Sequence, residues 1–156
     1  MRTNKRPTMR VNSIRKEAIK KKVAVYVKSL QEHADIENVV TLTTGIINKN
    51  ANTEFSHTEV VNRRSSPVQV RVVVFSWNNQ NSPVVLSSVA QTIAANSFRS
   101  FNTNISAVNF HYEVVILLSS VTNVVANHFG LNSVGGVPTS PQEGDTVLFK
   151  ELVHIV

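Results

Sequence analysis

Val68-Gln-Val-Arg-Val-Val-Val-Phe-Ser-Trp77 is the stretch on which the fold turns. Gln69 and Arg71 alternate with Val68, Val70 and Val72, the period-two pattern of a strand with one wet face. From Val72 to Phe75 the alternation stops and the run is continuously apolar. A strand of that kind is covered on both faces, so the stretch reads as the central strand of a sheet. His111-Tyr-Glu-Val-Val-Ile-Leu-Leu118 has the same character. Its alternation lapses at Val114, which predicts burial on both sides or a bulge.

Working outward, further strands are predicted over residues 39–48, 55–63, 84–86, 90–93, 97–105, 123–129 and 146–155. Turn formers separate them: Asn48-Lys-Asn-Ala-Asn52, Arg63-Arg-Ser-Ser-Pro67, Asn78-Asn-Gln-Asn-Ser-Pro83, Ala94-Ala-Asn96 and Gly135-Gly-Val-Pro138. Pro141-Gln-Glu-Gly-Asp145 reads as a turn before the last strand. Short strands roughly 8–12 residues apart, with no helix between them, predict an all-β fold. The expected architecture is an antiparallel two-sheet β-sandwich, jelly-roll or immunoglobulin-like.

Charge divides the chain differently. Residues 1–22 carry nine cations (Arg2, Lys5, Arg6, Arg10, Arg15, Lys16, Lys20, Lys21 and Lys22) against one acid, Glu17, a net +8. The other 134 residues hold seven basic and nine acidic side chains, a net −2. Residues 1–22 therefore read as a basic N-terminal arm, flexible or partly helical, and residues 23–156 as the β-sandwich domain. Ser13 is placed to cap a short helix over residues 14–22, where Glu17 meets Lys21 at the i,i+4 spacing. So little apolar surface makes that helix marginal alone, so the arm is expected to act by engaging another molecule. Beyond it, Val23, Val25 and Val27 alternate with Ala24, Tyr26 and Lys28, the pattern of one more strand.

The motifs of chemistry are missing. There is no cysteine, no HExxH, no GxSxG and no phosphate-binding glycine loop. His33, His57, His111, His128 and His154 fall on separate predicted strands or loops, so neither a metal nor a cofactor is expected. Glu113, inside an apolar strand, is expected to face outward beside a cross-strand arginine. The sequence has no apolar run long enough for a membrane helix and no apolar leader segment. A non-enzymatic role is the expectation.

Several segments together resemble small β-sandwich proteins of endospore-forming Firmicutes, similar in style to the subunits of spore-surface appendages. They are Val61-Asn-Arg63, Pro67 through Trp77, Thr92-Ile-Ala-Ala-Asn-Ser97, Phe110-His-Tyr-Glu-Val114 and Pro141-Gln-Glu-Gly-Asp-Thr-Val-Leu148. The resemblance covers roughly residues 38–156. It implies a jelly-roll subunit whose N-terminal connector docks into a neighbouring copy to build a fibre. It also implies a spore-surface or extracellular assembly made without a secretory signal, a cytoplasmic location being the alternative. Cysteine cross-links do not carry over, because this chain has none.

The resulting expectation is a structural protein that self-assembles into a homo-oligomer or filament through its arm. Val23, Val25 and Val27 would serve as apolar pegs added to a neighbour's sheet edge. The alternative is a nucleic-acid-binding or capsid-like protein whose nine arm cations neutralise phosphates. A third reading is a carbohydrate- or protein-binding module with Trp77, Tyr112 and residues 78–81 at one end.

Overall fold

The computed structural model describes residues 38–155. The predicted arm, its capped helix, the alternating residues 23–28 and His33 lie outside them. Nine strands follow one another: β1 (Val40–Asn48), β2 (Phe55–Asn62), β3 (Val68–Ser76), β4 (Val84–Ile93), β5 (Ser97–Asn104), β6 (His111–Leu118), β7 (Val124–Val134), β8 (Val137–Val147) and β9 (Val153–Ile155). A short 3₁₀ turn, Phe149–Glu151, separates the last two.

The strands form two antiparallel sheets, a β-sandwich. One has the order β4-β3-β6-β1-β9 and the other β5-β2-β7-β8. Only β3–β4 and β7–β8 are sequential neighbours within a sheet; every other connection crosses between the two.

The core follows from alternation along these strands. Val70, Val72 and Val74 of β3 and Tyr112, Val114, Ile116 and Leu118 of β6 face the second sheet. There they meet Val60, Phe101, Val124 and Ala126. β3 is an interior strand as expected, although β6 is the middle one of its sheet. The continuous runs behave as predicted, since Val72–Phe75 and Val114–Leu118 are buried on both faces. The irregularity opposite β6 belongs to β1, whose register shifts between Thr43 and Ile46. Gly45 sits there at φ 66°, a left-handed conformation that costs glycine least.

Three boundaries differ from expectation. The strand predicted over 146–155 is in fact the end of β8, the 3₁₀ turn and β9. Residues 84–86 and 90–93 belong to one unbroken strand, β4, because Ser87 and Ser88 pair with β3 like their neighbours. Pro141-Gln-Glu-Gly-Asp145 is not a turn but part of β8. The chain reverses earlier, at Gly135 and Gly136, where Val134 pairs with Val137. Both glycines have positive φ, 60° and 80°, as a two-residue type I′ turn requires. β8 tolerates its prolines because it is an edge strand with two register shifts.

Candidate assembly surface

On one side of the sandwich both sheets end in strands that have a single neighbour among the described residues. β4 closes the five-stranded sheet and β5 the four-stranded one, and residues 94–96 join them. Asn96 makes the bend at φ 51°, and its N–H donates to the Arg64 carbonyl at 3.2 Å. Buried Asn62 holds the corner from below: its Nδ2 donates to the carbonyls of Ser66 (2.9 Å), Ala94 (3.0 Å) and Ile93 (3.2 Å). Its Oδ1 accepts the Arg64 N–H. The two free edges are thus held together as one lateral surface.

This surface has little protection against pairing with another chain. Between Val84 and Asn104 the only ionisable side chain is Arg99. Val84 and Phe98 are each 59% exposed, Val85 47% and Leu86 38%. Edge strands commonly carry charges, prolines or bulges that discourage pairing. Here the features of that kind within the two strands are Arg99 on β5 and a register shift that leaves Leu86 of β4 without an opposite residue. The other side of the sandwich differs. β9 has only three residues, and β8 contains Pro138, Pro141 and two register shifts.

The chemically capable side chains have partners within the fold. His128 is buried, with Nε2 2.9 Å from the Tyr112 hydroxyl and Nδ1 3.3 Å from the Thr58 hydroxyl. Burial, with a smaller contribution from His57, pushes the His128 pKa down to about 3, so the ring is neutral. Burial also lifts the Tyr112 phenol far above its usual range, and the charge of Asp145 adds to that. The Asp145 carboxylate is itself buried. It accepts the Thr53 hydroxyl at 2.5 Å and the Asn50 N–H at 3.1 Å. Glu113 does not face an arginine, contrary to expectation. Its cross-strand neighbours are Phe75 and Ile46. The carboxylate accepts the Trp77 indole N–H at 2.9 Å and the Thr43 hydroxyl at 2.6 Å. Among the described residues no three His, Asp or Glu side chains converge as metal ligands. No described helix is long and apolar enough to cross a membrane.

Of the residues singled out from sequence, Val23, Val25, Val27 and the nine arm cations lie outside the described residues. The third grouping does not assemble as a surface, because Tyr112 is fully buried in the core. Asn78 secures its own loop. It accepts the N–H groups of Asn109 and Phe110 and donates to the Ala107 carbonyl. Sequence reasoning missed the β4–β5 side, yet its signal was legible as 21 residues containing one charge. Comparison with family models, with curated proteins and with solved structures returned no match.

Proposed function

We propose that this protein is a non-enzymatic structural subunit that self-assembles, copies meeting through the β4–β5 side. The observation that carries the reading is that side's two long adjoining edges, with Val84, Val85, Leu86 and Phe98 exposed and one charge among 21 residues. Free edges present unpaired N–H and C=O groups, and exposed apolar side chains add burial when those groups pair. A contact of this kind that does not close on itself propagates as a fibre. In that assembly the N-terminal segment acts as a connector, and the product is a spore-surface type of appendage. The finer fold assignment is immunoglobulin-like rather than jelly-roll. Pairing of the second strand with the fifth and of the third with the sixth supports it, while β1 and β7 exchange their customary sheets.

The test is the assembly state of the full chain by sedimentation and negative-stain microscopy. Val85→Lys with Phe98→Lys is expected to leave the circular dichroism unchanged and to abolish large assemblies. A wild-type chain that stays monomeric at millimolar concentration would sink the reading.

The charge of residues 1–22 favours a second reading, polyanion binding by a capsid-like subunit. Its mark is retention on RNA or DNA that weakens steeply with salt and disappears when the nine cations are replaced by Gln. Assembly lost without any polyanion retention favours the connector instead.

A further inference from the structure

β4 is exposed along almost its whole length: eight of its ten residues lie on the surface and only Ile93 is buried. The exposure is two-sided. Val89 stands opposite Val72, which faces the core, and is 39% exposed. Val85 stands opposite Phe75, which alternates with the core residues and points the other way, and is 47% exposed. The strand contains no ionisable residue and no proline. On the side away from β3 it has no neighbour among the described strands. Its backbone N–H and C=O groups on that side are open to pairing with another chain.

We propose that the occupant of this edge is β4 of a second copy, paired antiparallel about a two-fold axis so that the two sheets run on into one. The inference deepens the assembly reading above and rests on it. Length and charge select this pairing among the described edges. β9 has three residues, too few to match ten. β8 brings Pro138 and Pro141, which have no N–H to donate, and two register shifts. β5 carries Arg99 and exposes Ser100, Asn102 and Asn104, polar side chains that are costly to bury. Two β4 strands, in contrast, set no charge against another in any register, and their exposed valines gain cross-strand neighbours on both faces. The register shift at Leu86 leaves residues 87–93 as the regular ladder with β3, which places the axis within 87–90. One residue there stands opposite its own copy. Such a contact closes on itself, so its product is a dimer, and growth into longer assemblies takes a second contact.

The absence of cysteine makes the test direct. Ser87→Cys, Ser88→Cys, Val89→Cys and Ala90→Cys, one per full chain, are each oxidised with copper phenanthroline and run on a non-reducing gel. Ser140→Cys on β8, also exposed, is the control. Circular dichroism identical to wild type shows that each variant is folded. Disulfide-linked dimers are expected at one of the four positions, about fivefold or more above the control, and fewer at its neighbours. A self-opposed pair brings its Cα atoms to about 4.5–5.5 Å, within disulfide reach. Sedimentation of the wild type separates the remaining outcomes. A chain that assembles while no β4 cysteine links beyond the control overturns this inference and leaves the assembly reading standing. A β4 cysteine that links only to Ser140→Cys in a mixture does the same, because that contact is head to tail. A chain that stays monomeric at millimolar concentration removes both.

Discussion

Nε2 of His128 on β7 lies 2.9 Å from the hydroxyl of Tyr112 on β6, so a polar contact joins the two sheets through an apolar core. The rings meet edge to face with centroids 5.6 Å apart. The second ring nitrogen faces the Thr58 hydroxyl. A neutral imidazole has one donor and one acceptor nitrogen, and a hydroxyl serves either, so both contacts are satisfied in either tautomer.

That arrangement predicts acid sensitivity. The His128 pKa falls from 6.5 to about 3 on folding. Below about pH 6.5 the unfolded chain binds a proton that the native chain refuses, so stability declines as pH drops toward 3. The expected loss reaches several kcal/mol, a figure good only to order of magnitude. Thermal unfolding between pH 7 and 4 should fall more steeply for wild type than for His128→Gln. Parallel curves would contradict the assignment.

Gly130 of β7 lies against the buried Asp145 side chain. A Cβ there would stand 2.5 Å from the Asp145 Cβ and 2.9 Å from the Thr53 Cγ2. Gly130→Ala is therefore expected to cost about 1–3 kcal/mol through overpacking. Urea denaturation measures it directly. Thr53→Ala should cost about 1–3 kcal/mol by removing a donor from a buried charge.

Asn62 controls the corner that brings the two free edges together. Asn62→Ala leaves the Ile93 carbonyl and its neighbours without their donor, at about 1–3 kcal/mol. Hydrogen exchange should rise first at residues 94–97, where the corner loosens. Asn62→Asp is expected to be worse, because a carboxylate would face carbonyl oxygens.

The β7–β8 turn predicts a contrast between two substitutions. Gly135→Asn should be nearly neutral, since asparagine accepts positive φ. Gly136→Val, at φ 80°, is expected to cost about 1–2 kcal/mol. Chemical denaturation of the two variants side by side checks the pair.

Much of the fold was legible because β-strands announce themselves locally. Residues 68–77 and 111–118 showed double-sided burial by losing their alternation, and β3 and β6 are buried as that implied. β8 was misread because proline and glycine at 138, 141 and 144 are turn formers in most contexts. An edge strand with shifted register accommodates them, and edges are defined only by which strands lack neighbours. The same dependence hid the candidate surface. Val84, Val85 and Leu86 look like core residues until β4 is seen to have one partner instead of two among the described strands.

Taken alone, the chain determined its strands, its charge asymmetry and its lack of any catalytic signature, because each depends on residues near one another in sequence. The tertiary structure decided which strands lie at edges, that Tyr112 and His128 meet across the core, and that β3 and β6 take the interior positions of their sheet. These depend on pairings such as β1 with β6 and β2 with β7, between segments far apart along the chain. No local pattern of residues encodes which distant strand a given strand will find.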